Sequence, residues 1–226
     1  MSPPPRSAKA VTRARVRGGR TTRDPSVAAA VEQALASHVD AALLAAGARD
    51  PERGTVTDRP SGPPAARPVA CYVSLPAEPG TGPLRGALLA RGRPVLLPVL
   101  LPDLDLDWVR DPGPGGPGTA AGDLGGDPLR PGGPRLGTAA VASCDLVLVP
   151  ALAVDRAGTR LGQGGGSYDR ALARAHTAPG RRPGEGGPLV LAVVHDDEVL
   201  DDLLPREPHD VAVHGALTPS GVVLLR

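Results

Sequence analysis

The chain has 226 residues and a formal net charge of +1, which gives length for one substantial domain, or one with a small accessory piece. The charge is too small for a surface that captures nucleic acid by bulk attraction, and with no phenylalanine and three aromatic side chains there is no stacking platform for bases. The 30 glycines and 28 prolines, about a quarter of the chain, are concentrated: 15 fall in the 24 positions of 111–134, and 177–188 is similar, so an ordered core with long irregular loops is expected.

Residues 1–6 carry three consecutive prolines and nothing to bury, and are expected to be disordered. Met1 to Arg20 is basic without an apolar centre, so no secretory signal is expected, although composition leaves an organellar transit peptide open. Gly18-Gly19 argues against one continuous helix there. Residues 25–46 predict a helix with Asp24 as N-cap, Pro25 at the first position, Gly47 as the stop, and an apolar stripe of Val27, Val31, Leu35, Val39, Leu43 and Leu44. Residues 48–66 read as a linker. No apolar stretch approaches ~18 residues, so no membrane span is expected.

From Pro68 short apolar runs alternate with helical segments. Strands are predicted at 69–75, 95–101, 146–149, 189–194 and 211–214, with 222–225 closing the sheet and a helix at 83–90. Continuous apolar runs of this kind suit strands buried on both faces. The expectation is an α/β fold, a mostly parallel sheet covered by helices on both faces in three α/β/α layers, as a single domain with an N-terminal helical segment. Its divisions fall at 1–24, a tail and basic segment; 25–66, helix and linker; and 67–226, the core. Cys71 and Cys144 lie within apolar runs and form no close pair, which fits a reducing cytoplasm rather than a disulfide framework, and the five histidines lack metal-ligand spacing.

The stretch from Gly158 to Arg170 carries the chemistry. An apolar run, a glycine-rich loop and a helix start follow in that order, so backbone N–H groups and a helix N-terminus converge where an anion can sit. Arg160 adds a guanidinium, and Asp169 is a candidate ligand for a divalent cation. A Walker loop is excluded because Ser167-Tyr168, without lysine, follows Gly166. A dinucleotide fingerprint is excluded because Gly162-Gln163-Gly164-Gly165-Gly166 misses its spacing by one residue, and Gly162 lies twelve positions beyond Pro150. A surface turn with surplus glycine is the plainer alternative, but it leaves Arg160, Tyr168, Asp169 and Arg170 without a purpose.

These residues resemble a known family. Leu148-Val149-Pro150 through Asp155, then Arg160-Leu161-Gly162-Gln163-Gly164-Gly165-Gly166-Ser167-Tyr168-Asp169-Arg170, is similar to the signature of the 5-formyltetrahydrofolate cyclo-ligases. Tyr72-Val73-Ser74-Leu75-Pro76-Ala77-Glu78 through Thr81 resembles their folate-binding segment, and Pro205-Arg206-Glu207-Pro208-His209-Asp210 with Leu217-Thr218-Pro219 resembles their C-terminal ending. The likeness runs from about residue 66 to 226. Lys9, the one lysine of the chain, and Arg13 have the spacing of a Lys–Arg pair on the family's first helix.

The resemblance implies an enzyme that uses ATP and Mg²⁺ to convert 5-formyltetrahydrofolate into 5,10-methenyltetrahydrofolate, releasing ADP and phosphate. The formyl oxygen attacks the γ-phosphate, giving a phosphorylated imidate, and N10 then closes the ring. It implies catalytic roles for Arg160 and Tyr168. ATP would contact Lys9, Arg13 and the run from Arg160 to Tyr168, namely Leu161, Gly162, Gln163, Gly164, Gly165, Gly166 and Ser167. Folate would contact Val73, Glu78 and the loop from Gln163 to Ser167, and Asp169 with Asp210 would hold the metal. Small-molecule substrates, no nucleic acid, no membrane, a cytoplasmic location and a monomer are expected. A non-catalytic homologue that binds nucleotide or folate on the same fold stays open as the alternative.

The chain departs from the family in several places. Ser167 stands where many members have tyrosine, Gly165 where some have lysine, and Gln163 where some have arginine. Asp127-Pro128 stands for an aromatic residue followed by Glu-Pro. Trp108 is expected in the core rather than in place of that ring.

Overall fold

The computed structural model describes residues 8–48, 66–113, 127, 129–177 and 187–225. The chain begins with α1 (Ala8–Thr21), α2 (Ala28–Ser37) and α3 (Val39–Ala48), followed by β1 (Val69–Ala70), α4 (Gly82–Ala90), β2 (Val95–Leu100), β3 (Leu106–Arg110) and β4 (Leu146–Pro150). Then come β5 (Ala153–Asp155), β6 (Arg160–Leu161), α5 (Ser167–His176), β7 (Leu189–Val193), β8 (Val199–Leu200), β9 (Gly215–Thr218) and β10 (Gly221–Leu224). The main sheet has the order β10-β9-β7-β4-β1-β2-β3. Its five central strands are parallel, and one antiparallel strand closes each edge, β10 on β9 and β3 on β2. A second sheet, β6-β5-β8, stands beside it.

Strand periodicity builds the three layers. In β4 alternate side chains point to opposite faces: Leu146 and Leu148 meet Leu35, Val39, Leu84 and Leu88 of α2, α3 and α4. Val147 and Val149 meet Ala171, Leu172 and Ala175 of α5 and Val141 of the 3-10 turn Thr138–Ser143. Register pairs like with like, as in Leu146↔Leu189 and Leu148↔Leu191. Each large aliphatic side chain buried this way contributes about 1.5–3 kcal/mol. The expected three-layer architecture is present, with a mixed sheet.

Several elements differ from the sequence reading. Asp24 does cap, accepting from Ser26 N at 2.9 Å, but the helix that follows is broken. A 3-10 turn, Pro25–Val27, leads to α2; the chain turns at His38, whose Nε2–H donates to the Pro219 carbonyl at 3.0 Å, and α3 runs on through Gly47 to Ala48. This 24-residue segment is also long and apolar enough, at a mean hydropathy of 1.2, to cross a membrane by length and composition, which corrects the count of apolar stretches. Here Leu35, Val39, Ala42 and Ala46 face the sheet.

The 211–214 run is not a strand. Val213 N donates to the Gly158 carbonyl at 2.9 Å and Val211 N to Asp169; the backbone first reaches β7 at His214, whose N donates to the Val190 carbonyl at 2.8 Å, and the strand begins at Gly215. β3 was missed because half-buried Asp107 interrupts buried Leu106, Trp108 and Val109, and exposed Arg110 follows, so no unbroken apolar run marks it. Trp108 is fully buried in the core, as expected. Both cysteines are buried, and neither forms a disulfide. The predicted disorder of 1–6, nearly all of the linker, the middle of 111–134 and most of 177–188 lie outside the described residues.

Candidate active site

From β1 the chain moves outward to β2 and β3, and from β4 it moves the other way to β7, β9 and β10, so the order reverses between β1 and β4. A crevice forms outside the carboxyl ends of strands at such a point. The cleft here, about 1110 Å³, is lined there by Tyr72 and Val73 after β1, by Pro98 and Leu100 on β2, and by Pro150 and Ala151 at the end of β4. The glycine loop does not follow β4 directly. The β5–β6 hairpin intervenes, and the loop leaves β6 to enter α5, which sets it over the strand ends.

All the residues singled out from the sequence line this one cleft: Lys9 and Arg13 from α1; Val73 and Glu78 after β1; Arg160 through Asp169; and Asp210 from the C-terminal loop. Gly166 caps α5 with φ +69°, a left-handed conformation that favours glycine, so the chain turns sharply and α5 points its first turn into the cleft. No side chain caps that end. Gly158 is fixed by space as well as by φ +78°, since a Cβ would lie 2.4 Å from the Val213 carbonyl oxygen.

Arg160 is almost fully buried. Its Nη2 donates to Asp169 Oδ1 at 2.9 Å, and its guanidinium lies 6.0 Å from the Tyr168 ring centroid. Its Nη1, like the Tyr72 hydroxyl, is buried with no hydrogen-bond partner among the described residues. Buried donors without partners are costly, and two that line the same cleft give it groups able to receive a polar ligand. Asp169 Oδ1 also accepts from Val211 N at 3.2 Å, which ties the first turn of α5 to the Asp210 loop.

Beside this contact Lys9 Nζ donates to Asp210 Oδ2 at 2.7 Å and lies 3.4 Å from Glu207 Oε1. Burial raises the Asp210 carboxyl, but hydrogen bonds from Lys9 and Glu207 N outweigh it and hold the group below its ordinary value. Arg13 Nε donates to the Gly162 carbonyl at 2.9 Å, and Arg17 reaches the Gln163 side chain. Ligand atoms of Glu207, His209 and Asp210 lie within 4.8 Å of one another, and the two carboxylates are the hard donors a divalent cation takes. Asp169 is outside that cluster, paired with Arg160.

Below the loop, burial pushes the Glu78 carboxyl above its ordinary value, against the Leu75 N–H, the Arg20 charge and the Gln163 side chain, which pull it down. Burial likewise drives the Tyr72 and Tyr168 phenols well up, so both are neutral, and lifts the Cys71 thiol to about 12. The sequence reading missed the aliphatic wall of Pro98, Leu100, Leu104, Leu106 and Leu129, which nothing in the spacing marked. It also missed Arg17 and Arg20, which the Lys9–Arg13 spacing extended by further helical turns would have found.

Backbone amides, paired guanidinium and ammonium groups and an acidic rim, gathered at the switch point of a parallel sheet, make the cleft of an α/β protein whose strand ends suit an anionic ligand. A profile of the 5-formyltetrahydrofolate cyclo-ligase family matches residues 64–219, and the chain belongs to that family. It is 45% identical over 168 residues to 5-formyltetrahydrofolate cyclo-ligase of Mycolicibacterium smegmatis, covering 71% of this chain and 78% of that protein. A mitochondrial 5-formyltetrahydrofolate cyclo-ligase of Arabidopsis thaliana is 42% identical over 80 residues, 35% of this chain and 28% of the plant protein. The 5,10-methenyltetrahydrofolate synthetase of Aquifex aeolicus superposes with a TM-score of 0.65 at 22% identity, covering 96% of this chain and 93% of that one. That of Mycoplasma pneumoniae superposes at 0.61 with 15% identity, covering 93% and 98%. At these identities the superpositions speak for the fold.

Proposed function

We propose that the cleft binds 5-formyltetrahydrofolate and ATP together and converts them into 5,10-methenyltetrahydrofolate, ADP and phosphate. The observation that carries this reading is the convergence of four distant segments, around residues 9–13, 72–78, 160–169 and 207–210, on one cleft. Its volume, about 1110 Å³, lies above the ~300–1,000 Å³ usual for one small ligand, which suits two substrates side by side.

The polarity of the two ends divides the labour. Glu78, next to Val73 and the neutral Tyr72, accepts hydrogen bonds from the donor edge of the pterin, and the aliphatic wall takes the flat body of the folate. Lys9, Arg13 and Arg160 with the amides of Gly162–Gly166 and Ser167 hold the phosphates. Reaction requires the formyl oxygen in line with the γ-phosphorus. That oxygen attacks, the γ-phosphoryl passes to it as ADP leaves, and N10 then adds to the activated carbon and expels phosphate. Arg160, braced by Asp169 and Tyr168, has its unpartnered Nη1 available for charge that develops on the phosphoryl oxygens. The intermediate must also be kept from water.

The carboxylates fit Mg²⁺: Asp210 with Glu207 beside it, and Asp169 joined to them through Val211, would hold it. When bound, it neutralises phosphate charge. The test is to incubate the protein with 5-formyltetrahydrofolate, ATP and Mg²⁺ and follow the methenyl absorbance band. ATP-dependent growth of the band is expected; folded protein that gives none overturns the reading.

A further inference from the structure

α1 is a helix that its own sequence does not favour. Lys9, Arg13, Arg15, Arg17 and Arg20 place five cations in 14 residues with no acid in the helix. Lys9–Arg13 and Arg13–Arg17 are like charges one turn apart, and Gly18-Gly19 sits near the C-terminal end. A helix this short is marginal alone even with a good sequence. Its conformation therefore comes from what it docks on, and Val16 is the apolar side chain that packs beneath it, against the cluster of Leu152, Leu161 and Leu204.

The firm attachment is Arg20. Its Nε and Nη2 donate to Glu198 Oε1 and Oε2, both at 2.8 Å, and Nη2 also donates to the Ala151 carbonyl at 2.7 Å. Both side chains of the pair are 3% exposed. Glu198 is fixed in turn, since its Oε2 accepts from His195 N at 2.9 Å just after β7. One planar fork thus joins α1 to the ends of two central strands, β4 and β7. Lys9 stands eleven residues away, about 16 Å along the axis at ~1.5 Å per residue. A small tilt at Arg20 therefore displaces Lys9 from Asp210 and Arg13 from the Gly162 carbonyl.

We infer that the Arg20–Glu198 fork is the positioning element of the nucleotide half of the cleft: it fixes the pitch of α1 and so places Lys9 and Arg13 over the glycine loop. The nucleotide consequence rests on the function proposed above; the docking of α1 does not. Two variants separate fork from charge. Arg20→Lys keeps the cation but loses the bidentate geometry. Arg20→Met with Glu198→Met removes both charges, leaves neither unpaired in the interior, and is the version expected to stay folded. The controlling substitution is Arg156→Ala, at the exposed pair with Asp201, which touches neither Arg20 nor Glu198.

Trypsin reports α1 directly, because its arginines are the cleavage points and cutting needs local opening. In the folded double variant, cleavage within α1 is expected about tenfold or more faster than in the wild type, with the rest of the chain cut at the wild-type rate. KM for ATP is expected to rise about tenfold in both Arg20 variants, with KM for 5-formyltetrahydrofolate within about twofold and Arg156→Ala near the wild type. Unchanged α1 cleavage in the folded double variant overturns the inference. So does a uniform loss of turnover at constant KM, since that is the signature of a smaller folded fraction. A wild type without ATP-dependent turnover, but with α1 released on loss of the fork, overturns the function and leaves the positioning role standing.

Discussion

α1 buries a single side chain, Arg20, whereas α2 and α3 together bury Leu35, Ala36, Val39, Ala42 and Ala46. The first helix is held by ion pairs and backbone carbonyls, the other two by an apolar stripe against the sheet. Packing area is non-directional and gives stability; a guanidinium fork gives less net stability but fixes direction. The difference separates scaffold from site. α2 and α3 contribute no side chain to the cleft, while α1, with almost no core, lends it two cations.

This contrast fails if changes on the two sides act alike. The largest expected effect is at the cleft: Asp169→Asn should cut turnover by about 10²–10³ while the far-UV circular dichroism stays native. An equally active variant would remove Asp169 from the reaction. On the scaffold side, Leu35→Ala leaves a cavity in a fully buried position and should cost about 2–5 kcal/mol in denaturant unfolding, with both KM values unchanged in the folded fraction. Lys9→Met should do the reverse, raising KM for ATP about tenfold with little loss in unfolding midpoint.

Glu78 sharpens the comparison through pH. Burial raises its carboxyl above the ordinary 4.5, so the stability tied to its protonated form is complete below 4.5 and is lost as pH rises through the raised value in the fold. Glu78→Gln removes that penalty. The variant should melt above the wild type at pH 7, the two should converge below pH 4.5, and KM for 5-formyltetrahydrofolate should rise about tenfold. The smallest effect is expected at Leu44, 77% exposed on α3, where Leu44→Ser should change stability by no more than about 0.5 kcal/mol.

The central strands were legible because burial on both faces writes itself as unbroken runs, such as Leu146–Val149 and Leu189–Val193. Leu106–Arg110 was not, because Asp107 and Arg110 interrupt its apolar residues, and Val211–His214 misled because Val211 and Val213 give their N–H groups to Asp169 and Gly158 instead of a ladder. α1 was hidden for a different reason. Gly18-Gly19 and the run of cations speak against a helix locally, and the partners that hold it, among them Glu198, 178 residues from Arg20, lie far along the chain. The site was more readable than its supports: glycine spacing and charge identify residues that the fold brings to one cleft. The aliphatic wall and the Arg20 fork depend on contacts that no local pattern encodes.

The most direct measurement counts products. With both substrates present, one methenyltetrahydrofolate and one phosphate should appear for each ATP consumed, and neither should appear when either substrate is withheld. Phosphate release from ATP without folate, or a folate product formed without ATP, would contradict a single cleft in which the two substrates meet and water is shut out.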